Sequence, residues 1–337
     1  STANASIVYG NSSSTAITTS ALNGDTLAEI FGGGSVPIST VSGDTSTAGF
    51  YTAGNHAINI SGPATNLLGY ATPTYSNGTM IVAQANLIVT GTAVVSKQYD
   101  GTTNITFSNA GSISPLTGSN GTDVVTLTTN GSFNSKNVAN AIGIAMADSI
   151  SGADAANYQL VQPTGITANI TPRTITLSDV QTYSGSTSLT NVTIGNLVGS
   201  ETLTYAGNAS SKNVQDNGTN YIANITLSNG ANGGLSSNYQ LPTLNVTNAP
   251  VTINRLNSVT WTGGATGNWF DPANWAGGAV PDLNNVANVI LPAGVTVSFN
   301  NTVVASAQAG AVSIHSLSAG SANLSQTAGT LNVGLGG

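Results

Sequence analysis

The chain has 337 residues, of which only 5 % are charged, and its net charge is −7; an average globular domain carries roughly 25 % charged residues. Five Lys and Arg residues give no basic face for phosphates, so nucleic acid is excluded as a partner, and the lack of cysteine excludes disulfides and thiolate metal sites. Ser (39), Thr (46), Asn (40) and Gly (40) make up nearly half the chain, and 39 % of it is hydrophobic, so the expectation is an ordered all-β protein of short strands and tight turns.

In chain order, the start STANASIVYG lacks a basic and apolar leader pattern, so the chain is expected to be a mature product or an internal piece of a longer protein. A first β module is expected over 1–90, opening with Tyr9-Gly10 and closing with IVAQANLIVTG (81–91). Met80 to Val95 is the most apolar stretch, but Gln84, Asn86, Thr90 and Gly91 interrupt it, so no membrane insertion is expected. Two more modules follow, over 91–173 and 174–257, and they repeat each other. KQYDGTT at 97–103 returns as QTYSGST at 181–187, SKNV at 135–138 as 211–214, and NYQL at 157–160 as 238–241. ANITPRTITL (168–177) is echoed by TNAPVTINRL (247–256), so four anchors recur in the same order. The last strand of one module is expected to run straight into the first strand of the next. From about residue 258 the pattern changes: Trp261, Trp269 and Trp275 crowd one segment, and short apolar pieces with Gly, Asn and Ser turns follow to 337. That pattern predicts the start of a parallel β-helix, with further coils to follow.

The quoted residues resemble a known group. KQYDGTT with GADAANYQL and ANITPRTIT is similar to the YDG-type repeat, and YGNSSST is similar to its YGX-type relative. Such repeats occur in tandem in bacterial surface proteins of the filamentous-haemagglutinin type, exported by two-partner secretion. The tryptophan segment is similar to motifs of autotransporter-like β-helices. Ser184 stands where the family has Asp. The expected architecture is therefore all-β: tandem small modules, Ig-like sandwiches or β-grasp-like folds as the alternative, then a parallel β-helix.

The resemblance implies an extracellular, bacterial cell-surface protein that mediates adhesion, aggregation or biofilm scaffolding. Its expected partners are itself or host and matrix glycans. A self-assembling filament subunit, with strands at 1–9 or 329–335 completing a neighbour's sheet, is the alternative, and a polysaccharide-binding or polysaccharide-active protein the third reading.

No catalytic residue, cofactor or metal site is expected. Glu29 and Glu201 lie far apart, as do His56 and His315, and Asp271 and Asp282 read as turn or capping residues. Trp261, Trp269 and Trp275 are candidate glycan contacts through their ring faces, against the expectation that they close the end of the helix. Tyr99, Tyr158, Tyr183 and Tyr239 recur at matched positions, which predicts packing with a hydrogen-bonded hydroxyl. Asp100, Asp123 and Asp154 could form a calcium site only if several carboxylates converged; one per turn reads as turn chemistry. Lys97, Lys136 and Lys212 are weak candidates for an amide cross-link.

Overall fold

A computed structural model describes residues 4–12, 24–33, 36–116, 123–299, 311–314, 316–327 and 330–333. The fold is all-β, as expected, with many small sheets; Leu27–Phe31 is the one α-helix among the described residues. No helix among them is long and apolar enough to cross a membrane. The chain divides into two compact units, Ser1–Lys97 with Thr102–Ile170, and Gln98–Gly101 with Thr171–Gly337.

The first unit opens with a four-stranded sheet in the order Ala5–Val8, Gly78–Ala83, Gly54–Ser61, Ile38–Ser42. The first and last strands in sequence run parallel, with Ala5 opposite Met80, and the other pairs are antiparallel. Alternation sets the inner face: His56, Ile58, Ile60, Met80 and Val82 are buried while their neighbours face outward. After Gln84 the chain continues at once as Ala85–Thr90, which pairs in parallel with Tyr158–Val161 and antiparallel with Ser112–Ser114. One stretch of backbone thus ends the first sheet and begins the next, the continuity expected from the sequence. Leu87 on this second strand packs with Ile58, Met80 and Val82 in one core, so the two repeats of this unit share their apolar interior. Each such fully buried side chain contributes about 1.5–3 kcal/mol.

In the second unit Thr176–Thr182 lies antiparallel to Val192–Gly195 and parallel to Val251–Asn254. This repeats the parallel first-to-last pairing, a trait of the β-grasp-like alternative. A hairpin, Leu203–Ala209 with Ile222–Asn229, completes the repeat. Ile175, Leu177, Ile222, Val251 and Ile253 are buried. Beyond Asn254 the strands among the described residues pair in parallel, with one isolated antiparallel bridge between Trp261 and Trp275. Leu256–Thr260 pairs with Val286–Leu291 and that with Ser316–Ala319; Thr266–Asn268 pairs with Thr296–Phe299 and that with Asn323–Gln326. Ala311–Ile314 lies parallel to Thr330–Val333. Each of these strands returns in parallel on its predecessor, and Val259 opposite Val289 stacks buried apolar residues across one such pair.

The scarcity of charge shows in how cations are held. Lys97, Lys212, Arg173 and Arg255 donate to the backbone carbonyls of Thr102, Gly185, Asn196 and Asn284. Asn side chains serve as turn and ladder partners: Asn217 accepts from Ile253 N and donates to Ile253 O.

Candidate functional site

The matched tyrosines are buried with bonded hydroxyls, as expected: Tyr158 and Tyr239 bond a carboxylate of their own repeat, and Tyr99 and Tyr183 one from the stretch of chain that follows theirs. Three such junctions recur along the chain, the first within the first unit and the other two within the second.

Tyr9 follows the strand Ala5–Val8 in the first repeat. Its hydroxyl donates to Asp123 Oδ2 at 2.5 Å and accepts from Ser46 Oγ at 2.5 Å. Tyr158, from NYQL, donates to the same Asp123 oxygen at 2.7 Å. The two rings meet edge to face with centroids 5.3 Å apart, a favoured aromatic geometry. The other Asp123 oxygen accepts from Ala48 N at 3.2 Å, and Asp154 accepts from Thr47 N at 3.0 Å and Val124 N at 2.8 Å. Asn157 accepts from Ala53 N at 2.8 Å. The second repeat therefore holds the 46–53 loop of the first by its backbone amides.

The second junction has the same parts. Tyr99 donates to Glu201 Oε1 and Tyr239 to Glu201 Oε2, both at 2.7 Å, and the rings sit edge to face at 5.5 Å. Val198 N donates to the Tyr239 hydroxyl at 2.9 Å. Gly101, at φ +77°, lets Val198 close on the tyrosine loop: a Cβ built there would stand 2.7 Å from Val198 Cγ1. The glycine of Tyr-x-Gly is thus needed twice, for its left-handed backbone and for the close approach.

At the third junction the tryptophan-rich segment supplies the acid. Tyr183 donates to Val280 O at 2.9 Å and Asp282 Oδ1 at 3.3 Å. No second tyrosine takes part. Instead Asn285 donates to Asp282 Oδ1 at 2.8 Å and to Asn213 Oδ1, and accepts from Val214 N. Leu283 and Asn284, at φ +44° and +60°, form the left-handed turn between Asp282 and Asn285. Gly185 repeats the role of Gly101, with Gly278 O only 2.5 Å from where its Cβ would be.

Electrostatics follows from burial. Burial raises Tyr9, Tyr99 and Tyr183 well above the usual phenol range, and the neighbouring carboxylates add to it. Burial also raises Tyr239. These hydroxyls keep their protons and remain donors. Asp282 is likewise pushed up by burial, against the bonds from Asn285 and Tyr183 and the charge of Lys212. Each carboxylate is filled by hydroxyl, amide or side-chain donors, so the arrangement fastens one stretch of chain to another.

The remaining sequence candidates are dispersed. Trp261, Trp269 and Trp275 are 3 %, 0 % and 2 % exposed and pack edge to face at 5.2 and 5.0 Å. Their indole N–H groups donate to Gly264 O, Pro281 O and Trp269 O. The glycan-contact expectation meets a physical obstacle here, since no indole face is open to a sugar; the rings fill the interior with Phe299, 5.5 Å from Trp269. Asp271 caps a 3₁₀ turn by accepting from Ala273 N at 2.9 Å, as expected of a capping residue. Glu29 accepts from Thr26 N and Oγ1 in a capping box, which lowers its pKa. His56 is buried, with Nε2 2.6 Å from Thr52 O. His315 lies outside the described residues. Lys97 lies over the Phe133 ring and donates to Thr102 O at 2.8 Å. No group of three His, Cys, Asp or Glu residues suited to a metal occurs among the described residues.

Sequence reasoning missed Glu201 and Asp123 as junction acids. A signal existed: Asp25-Thr26-Leu27, Asp123-Val124-Val125 and Glu201-Thr202-Leu203 share an acid followed two residues on by an aliphatic residue.

No curated protein and no solved structure matches the chain. Residues 83–165, which contain Tyr99-Asp100-Gly101 and the acid and tyrosine Asp123 and Tyr158, match a protein family and form a YDG domain.

Proposed function

We propose that this chain is a structural and adhesive repeat segment of a bacterial cell surface, of the filamentous-haemagglutinin-like type, whose repeats act together as a fastened series in adhesion, aggregation or biofilm scaffolding. The observation that supports this most is the recurring tyrosine–carboxylate junction, which ties successive repeats by buried bonds where an enzyme would place an open site. The continuous strand pair Gly78–Ala83 and Ala85–Thr90 adds a second tie, because pulling on one sheet loads the next directly. Uncharged Asn, Ser and Thr surfaces would make many weak polar contacts, and repetition converts weak contacts into retention.

The test is display of the 337-residue chain on a non-adherent bacterium, with an unrelated β protein of similar size as control. Cell aggregation, or retention on glycan- or protein-coated surfaces under flow, should rise several-fold. No rise in any of these, with display confirmed by antibody, contradicts the proposal.

A further inference from the structure

The parallel pairing of the second unit is interrupted at one place. Thr174 lies opposite Gln240, and Asp179 lies opposite Val251. Between these points one side has four residues, 175–178, and the other has ten, 241–250, so the second side loops away. Ile175 N donates to Gln240 O, Asp179 N to Pro250 O and Tyr183 N to Asn254 O, so the odd-numbered residues turn their backbone groups toward that side. Leu177 falls between them, and its N–H and C=O open into the gap. In a continued parallel ladder the next donor would be the N–H of residue 242, aimed at Ile175 O, but Pro242 has none. No group among the described residues bonds Leu177 across the gap. A cavity of ≈ 570 Å³ lies there, within the ~300–1,000 Å³ of small-ligand sites. Of its lining, Ile175 and Leu177 are buried, Thr243, Thr247 and Asn248 are exposed, and no charged side chain among the described residues takes part.

We infer that this cavity binds the acetamido group of an N-acetylated sugar, whose carbonyl oxygen accepts from Leu177 N–H while a neighbouring sugar hydroxyl donates to Leu177 C=O. The chemistry of the lining identifies the occupant. A buried backbone N–H calls for a strong acceptor, and an amide oxygen supplies one. The trans amide then points its own N–H away from Leu177, toward the wall where Asn248 and the threonines offer acceptors. Pro242 and Pro250 give carbon faces for the acetyl methyl, and the uncharged rim suits neutral sugar hydroxyls. An extended peptide fits less well, because the gap is closed at both ends by the chain at Pro242 and Pro250, so only a pendant group enters from the side. This deepens the adhesive reading proposed above by naming a ligand. Binding in solution is read without surface display, so either can fail without the other.

The test is titration of the isotope-labelled full chain with N,N′-diacetylchitobiose, followed by nuclear magnetic resonance. At about 20 mM, well above the ~1 mM dissociation constant of a weak site, the Leu177 amide resonance should move and its exchange with solvent should slow at least about fivefold. Cellobiose, which has the same linkage without acetamido groups, should change neither. Thr243→Trp fills the opening from an exposed rim position and should weaken the response about fivefold or more, with amide protection of Thr176–Thr182 and Val251–Asn254 showing an intact fold. Thr247→Arg serves in its place if Thr243→Trp disturbs those strands. An unmoved Leu177 amide overturns the inference, as does an equal response to cellobiose. A folded rim variant that responds like the native chain puts binding elsewhere and also overturns it. An equal or larger response to N-acetyl-trialanine amide assigns the cavity to peptides and overturns the sugar.

Discussion

At the residue scale the junction acids carry the most consequence. Glu201 accepts from two buried tyrosines, so Glu201→Ala leaves two hydroxyls without their acceptor and is expected to cost the second unit about 2–4 kcal/mol, about 1–2 per orphaned group. Tyr99→Phe removes one bond and keeps the ring, and should cost about 1–2 kcal/mol. Urea unfolding followed on the second unit separates the two. Buried acids also set a pH dependence. Asp179 is buried with one carboxylate oxygen unpartnered, and burial raises it above its ordinary 3.8 despite the bond from Asn191 N; Asp282 is raised for the same reason. A group raised in the folded state contributes fully below its unfolded value and loses that contribution as pH rises through the folded value. For Asp154 burial pushes upward too, but the Val124 and Thr47 amides outweigh it, so its contribution is present above 3.8 and is lost as pH falls through its lowered folded value. Acidification from about pH 7 to about pH 4.5 should therefore lend stability to the second unit through Asp179 and Asp282. Asp179→Asn should shrink that gain, measured as the difference between urea midpoints at the two pH values. An unchanged difference would show that Asp179 does not titrate in this window.

At the scale of single elements, the glycines and tryptophans distinguish backbone demands from packing. Gly165, Gly101 and Gly185 share φ near +75°, but a Cβ meets nothing within 4 Å at Gly165, a side chain at Gly101 and a backbone oxygen at Gly185. Alanine at Gly165 should cost about 1–2 kcal/mol for the left-handed backbone alone. Gly101→Ala should cost somewhat more, since Val198 can turn away, and Gly185→Ala the most, since the Gly278 carbonyl cannot. Trp269→Ala removes a fully buried ring between Trp275 and Phe299 and is expected to cost about 3–5 kcal/mol, read as lost amide protection in the parallel strands. Adding oligosaccharides should leave tryptophan emission of the native chain unchanged. A shift on titration would mean that an indole does reach the surface.

At the scale of the whole molecule, the repeats and the all-β class were legible because periodic Tyr, Gly and Asn positions serve local turns and packing that every copy needs. Tyr99, Tyr158, Tyr183 and Tyr239 stood out for that reason. The acids were not legible. Asp123 and Glu201 do the same work with different side chains, and Asp282 comes from a segment with no repeat sequence at all, so matching letters passes over them. Their partners are separated by 114, 102 and 99 positions, contacts that only the folded chain brings together. The tryptophans show the converse: their clustering was plain in sequence, but whether an aromatic cluster faces solvent or core depends on the parallel strands packed around it.

A junction acid in one repeat holds the structure of the repeat before it. Native-state amide exchange on Asp123→Ala tests this most directly, because the substitution lies in the second repeat and the readout in the first. Protection in Gly54–Ser61 and Gly78–Ala83 should fall about tenfold or more, the equivalent of about 1.4 kcal/mol, together with that in the second repeat. Loss confined to the second repeat, with those two strands exchanging as in the native chain, would contradict the claim.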